Sequence, residues 1–100
     1  MPKKNFNAAQ ANPPIKLNLG CGKDLKQGYV NIDLKSPCDL IHDLKTPLPY
    51  ADNSVVEIYA SCVIPLFSLN EWRTIRKDWV RVLVPGGTLW IVDHNTEEYM

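Results

Sequence analysis

The chain has 100 residues, 45% of them apolar, and its 11 Lys+Arg balance 11 Asp+Glu to a formal charge of zero. That size predicts one small domain with a thin core, and the balance gives no electrostatic case for nucleic acid or an anionic membrane. Cys21, Cys38 and Cys62 form no C-x-x-C pair, which argues against a disulfide framework or a zinc site.

Residues 1–14 are polar, end in Pro13-Pro14 and read as a flexible N-terminal arm ahead of a domain over 15–100. They hold no apolar h-region, and no run approaches the roughly 20 apolar residues of a membrane span. With reduced thiols, this points to a cytoplasmic chain with no membrane partner. Residues 15–19 (IKLNL) predict a first strand. Residues 20–28 follow as a loop with at most one helical turn. Residues 29–33 (YVNID) alternate and predict a second strand. Residues 38–43 (CDLIHD) predict a third, between Pro37 and Pro47. Pro47 and Pro49 block both regular ladders, and Asp52-Asn53-Ser54 is turn chemistry. Val55–Ser61 (VVEIYAS) predicts a fourth strand.

Ser68 and Glu71 then form an S-x-x-E capping box. Leu69, Trp72, Ile75, Trp79, Val80 and Leu83 follow at helical spacing and predict one apolar face. Pro85-Gly86-Gly87 is expected to stop this helix and turn the chain into a fifth strand over 88–92, with Trp90 in the core. Such strands, joined partly by a helix, predict an α/β fold with a mostly parallel sheet. The short connections between the first three strands predict that one sheet face is thinly covered.

The loop "LGCGKD" carries the functional signal. A glycine pair after a first strand lets the backbone approach a ligand at the carboxyl edge of a parallel sheet. The third position of a G-x-G-x-x-G pattern holds Leu25, so a pyrophosphate cradle is poorly supported. Asp33 at the tip of the second strand suits the two hydroxyls of a ribose. Asp43 ends the third strand, where a carboxylate can accept from an adenine amino group. Either aspartate also suits a plain turn or cap. No triad has spacing support. Tyr59, Asp93 and His94 are conceivable general bases.

The segments "LNLGCG", "YVNIDL", "DLIHDLKTPLPYADNSVVEIYAS" and "WVRVLVPGGTLWIV" together resemble a class I S-adenosylmethionine-dependent methyltransferase of the type 11-like group, over about residues 15–93. The resemblance implies a small Rossmann-like sheet of about five strands in the order 3-2-1-4-5. It implies that Gly20, Cys21 and Gly22 pass under the cofactor, and that Asp33, with Leu34 beside it, binds the ribose diol. By the same resemblance Asp43 and the backbone of Leu44 contact adenine, and Ser61 lies by the methionine end. Where related sequences carry a histidine and then a Glu-His pair, this chain has Cys62 and Ile64-Pro65-Leu66.

The family's last helix and two strands are expected to be missing, which leaves the fifth strand as an edge and predicts a homodimer. The expected reaction is in-line methyl transfer from S-adenosyl-L-methionine to a small-molecule, sugar or protein acceptor, which needs alignment and dryness more than a nucleophile. The alternatives are a non-catalytic module that binds the same compound, a partner subunit, or an enzyme that cleaves it.

Overall fold

The computed structural model describes residues 14–61 and 63–92. The arm up to residue 13, Cys62, Asp93 and His94 lie outside the described residues. Five parallel strands form one sheet: β1 (Lys16–Leu19), β2 (Val30–Asp33), β3 (Leu40–Ile41), β4 (Val55–Ser61) and β5 (Leu83–Val92). Their spatial order is β3-β2-β1-β4-β5, the order expected from the sequence. A 3-10 turn (Ile64–Leu66) and the helix α1 (Leu69–Val82) join β4 to β5.

Strand alternation divides the sheet into two unlike faces. Register pairs Leu17 with Ile58 and Leu19 with Ile32 and Ala60, so these side chains share a face. All five are fully buried. On this face α1 packs Ile75, Trp79 and Val82, with Leu44, Leu48 and Val63 completing the core. Trp79 is wholly enclosed, and burying a ring of that size is favourable by roughly 4–6 kcal/mol of transfer free energy. Trp72 meets it edge-on at 5.3 Å between ring centres.

The opposite face carries Lys16, Asn18, Asn31, Glu57, Tyr59, Thr88 and Trp90 in register. Among the described residues no helix covers it, because the β1–β2 connection forms only turns. One of them is closed by the Asp24 N–H on the Cys21 carbonyl at 2.8 Å. Thin cover on one face was the sequence expectation, and a polar surface suits it: it has little apolar area to pack under a helix.

Both bonds of the capping box are present. The Glu71 N–H donates to Ser68 Oγ at 3.1 Å, and the Ser68 N–H donates to Glu71 Oε1 at 2.8 Å. At the other end of α1, Arg81 ties the helix to the segment before β4. Its guanidinium donates to the carbonyls of Tyr50 (2.8 Å) and Leu48 (3.0 Å) and to the carboxylates of Asp52 and Asp78.

Four expectations are corrected. Leu69 and Val80 are 65% and 61% exposed, not part of the buried face. At about 100° per residue they stand about 120° and 140° round the axis from Ile75, beyond the stripe that Ile75, Trp79 and Val82 define. Trp90 is 52% exposed, because alternation puts it on the open face. Pro85-Gly86-Gly87 does not precede the fifth strand but lies inside it. The register jumps from Val55–Leu83 to Glu57–Thr88, so these residues form a bulge, with Gly86 at φ +83°, where proline's missing N–H is tolerated. β3 spans two residues instead of six. Asp39 Oδ2 takes the Asn31 N–H at 2.8 Å, and the Asp43 carboxylate folds back onto the Lys45 N–H, so side chains compete with the ladder at both ends.

Candidate functional site

The carboxyl ends of β1, β2 and β4 converge on the loop that begins at Gly20. Gly20 has φ +64°, and a Cβ there would lie 2.1 Å from Cγ1 of Val63. The close neighbour that excludes a side chain is therefore a core valine from the segment after β4. Gly22 is different: its φ is +54°, and nothing lies within 4 Å of an added Cβ. Its left-handed backbone turns its N–H onto Asp33 Oδ2 at 2.6 Å, while the Leu34 N–H donates to Asp33 Oδ1 at 2.6 Å. Asp33 thus staples the glycine loop to the end of β2. Each carboxylate oxygen has a second lone pair, so both can still accept from a ligand.

Two clefts meet at Gly20. The first, about 300 Å³, brings together Asp33, Leu34, Asp43 and Leu44 against an apolar wall of Val63, Leu66 and Phe67. His42 stands at its side, with Nε2 2.9 Å from the Pro47 carbonyl and 3.0 Å from the Thr46 hydroxyl. The second, about 620 Å³, opens on the polar sheet face and is lined by Asn18, Cys21, Gly22, Lys23, Lys26 and Tyr59, among others. Ser61 lies here, in a different cleft from Asp33 and Asp43. Both volumes fall in the roughly 300–1,000 Å³ range of small-molecule sites.

A buried amide network sets the loop between the clefts. Asn18 Nδ2 donates to the Asp24 carbonyl and to Asn31 Oδ1, both at 2.8 Å, and the Lys26 N–H donates to the same Asn31 oxygen at 2.8 Å. Asn31 Nδ2 donates in turn to Asp39 Oδ2. The network brings Lys26 beneath Tyr59, with Nζ 4.3 Å from the ring centre and 5.3 Å from that of Tyr29. The Tyr29 hydroxyl donates to Glu57 Oε2 at 2.5 Å, and that bond, with burial and the Glu57 charge, pushes its pKa up to about 12.

Burial, then the nearby Asp33 charge, pushes the Cys21 thiol up, so it remains a protonated thiol that donates to the Gly22 carbonyl. Among the described residues no group of three or more His, Cys, Asp or Glu is placed to hold a metal ion, and no helix is long and apolar enough to cross a membrane.

Of the apolar wall, only Phe67 was a sequence expectation, as a residue that packs and could border the ligand; Val63 and Leu66 were not. The wall's one signal was Leu66-Phe67, an apolar pair outside any periodic element just before the capping box. Lys23, Lys26 and Asn18 gave no signal, because a lysine in a loop is usually solvated and an asparagine in a short strand fits no binding pattern. Compared with protein-family models, curated proteins and solved structures, the chain matches none of them.

Proposed function

We propose that the chain binds S-adenosyl-L-methionine across the carboxyl edge of the sheet and acts as a methyltransferase on a small-molecule, sugar or protein acceptor. The observation that carries this reading is the pair Asp33, at the tip of β2, and Asp43, two residues past the end of β3, which open into one cleft with the apolar wall of Leu44, Val63 and Phe67. The residues present fit the compound. Asp33 has spare lone pairs for a ribose diol, Asp43 can accept from an adenine amino group, and the apolar wall can hold a flat ring. Gly22 leaves open space beside them.

When bound, this compound supplies a methyl group on a sulfonium, already activated for in-line displacement. The chain's task is then orientation. Asp33 holds the sugar and the loop together, because one carboxylate bonds the Gly22 N–H and faces the first cleft. Val63 fills the space under Gly20 and keeps water out of the floor. Cys21, Gly22 and Ser61 border the second cleft, toward which the methionine end would extend.

A second reading, a non-catalytic module or partner subunit, is favoured by one observation: the Asp33 carboxylate already has a structural task, with both oxygens bonded by backbone N–H groups. Cleavage of the bound compound is a third. A second copy pairing along β5 belongs to the first reading, in a cytoplasmic setting. Among the described residues β5 has a neighbouring strand on one side only and exposes Trp90 and Ile91. Sedimentation that finds only monomer at high micromolar concentration would remove the pairing.

The test is isothermal titration of wild type, Asp33→Ala and Asp43→Ala with S-adenosylmethionine and S-adenosylhomocysteine, with circular dichroism to check the fold. Saturable heat is expected with wild type, weakened by about 1–3 kcal/mol in each variant. No heat with either compound overturns the reading. Product analysis then separates transfer, which gives S-adenosylhomocysteine, from cleavage, which gives methylthioadenosine or a homoserine lactone.

A further inference from the structure

The second cleft has a chemistry of its own. Its floor is a sheet face that a helix does not cover among the described residues, and polar Asn18, Lys23, Asp24, Lys26, Tyr59 and Ser61 line it beside apolar Leu25. Lys23 and Lys26 both line it, against one carboxylate, Asp24. Among the described residues neither lysine has an ion pair. Lys26 is not a free surface chain: two tyrosine rings hold its ammonium in place, at 4.3 and 5.3 Å from their centres. Lys16 brings a further ammonium to the Tyr29 ring, at 5.7 Å. Two like charges gathered at one ring repel each other, and an anion nearby relieves that repulsion. The other carboxylate on this face, Glu57, bonds the Tyr29 hydroxyl and Trp90 Nε1 through one oxygen; it places a negative charge beside the Tyr29 ring but does not line the cleft.

The buried amide of Asn18 adds direction. Its nitrogen is spent on Asp24 and Asn31, so it fixes the loop that presents Lys23 and Lys26 at the mouth of the cleft. The result is a concave site of about 620 Å³ with one pre-placed ammonium on Lys26, a second lysine at its edge, the Tyr59 ring and a polar floor.

From this we infer that the second cleft binds a small molecule bearing a phosphate or carboxylate group, with Lys26 as the fixed charge and Lys23 as the closing one. Lysine suits either anion as a compact point charge with three donors. Concavity selects a small ligand over an extended polyanion. In the function proposed above, the methionine end of the compound extends toward this same cleft, so phosphate and citrate are titrated without that compound, and failure here is distinct from failure of that reading.

The test is a titration of the isotope-labelled full chain, followed by amide NMR shifts, with inorganic phosphate and separately with citrate. Sodium chloride at matched ionic strength is the control. Saturable shifts at Gly22, Lys26 and Ser61 are expected with at least one anion and not with chloride. Saturation with phosphate alone assigns a phosphate-bearing ligand, and saturation with citrate alone a carboxylate. Lys26→Gln is expected to weaken binding by about tenfold, the loss of one charge-assisted bond. Lys23→Gln, on an exposed loop, repeats the test without touching the tyrosines. Shifts that only follow ionic strength, or full binding in both variants with an unchanged spectrum elsewhere, overturn the inference.

Discussion

Replacing Gly20 by alanine tests why a side chain is absent at the end of β1. Two costs follow from the geometry. An L-residue at φ +64° is disfavoured by roughly 1–2 kcal/mol. The added methyl would lie 2.1 Å from Cγ1 of Val63, which is 2% exposed and packed on every side, so the neighbour cannot simply move away. Overpacking of this kind costs about 1–3 kcal/mol. The sum, about 2–5 kcal/mol, is a large share of the roughly 5–15 kcal/mol that hold a domain together. Gly22→Ala carries only the first cost, since nothing lies within 4 Å of its Cβ. The assay is urea unfolding followed by tryptophan fluorescence, with Trp79 as a buried reporter. Val63→Ala should relieve the overlap, so the double variant Gly20→Ala/Val63→Ala is expected to lose about 1–3 kcal/mol less than the two single losses combined. The reasoning fails if Gly20→Ala costs no more than Gly22→Ala, or if the two substitutions show no coupling.

Arg81→Met removes the donors that hold Leu48 and Tyr50 to the end of α1. It is expected to destabilise by about 2–3 kcal/mol, read as a lower melting temperature. Tyr29 has its folded-state pKa raised from 10.0 to about 12, so the stability from its bond to Glu57 is complete below pH 10.0 and lost as pH rises toward 12. Alkaline unfolding of wild type against Tyr29→Phe measures this, and the variant should lose that slope. Backbone bonds from Ser68 and Asn31 hold the Glu71 and Asp39 carboxyls below their ordinary values of 4.5 and 3.8. Their contribution is therefore present above those values and lost as pH falls through the lower folded-state ones. Melting temperatures across that range should fall less steeply in Glu71→Gln and Asp39→Asn than in wild type.

The parallel sheet and α1 were legible for physical reasons, whereas the strand order came from the family resemblance. Leu17, Leu19, Ile32 and Ile58 are short apolar runs with few polar breaks, and Ser68-x-x-Glu71 is a cap that few alternatives explain. Other features were hidden because long-range packing decides them. Gly20 lines both clefts, and the neighbour that bars a side chain there, Val63, lies far along the chain. Trp90 looked like core, and only its register opposite Tyr59 puts it on the open face. β3 looked longer because its flanking aspartates read as strand ends, whereas their side chains capture the backbone donors themselves. At the site, Asp33 stands at the tip of β2 as read, while Asp43 reaches the same cleft from two residues past the end of β3. The second cleft was legible only through Gly20, Cys21, Gly22 and Ser61, because among the described residues no helix covers that face, and a polar face without cover carries no motif.

Assembly order is expected to follow from strand order. β4, α1 and β5 are contiguous, so their contacts form at low entropic cost. β1 must reach across from Lys16 to Glu57 to take the middle of the sheet, which requires a long chain segment to close first. The loop at Gly20 settles only once that strand has docked, since Val63 arrives from β4's side. Both clefts draw residues from each side of the β1–β4 junction, so neither is complete before that junction closes. A molecule captured in either one would be held only by finished copies, and its capture would drag the population of half-built chains toward completion by mass action.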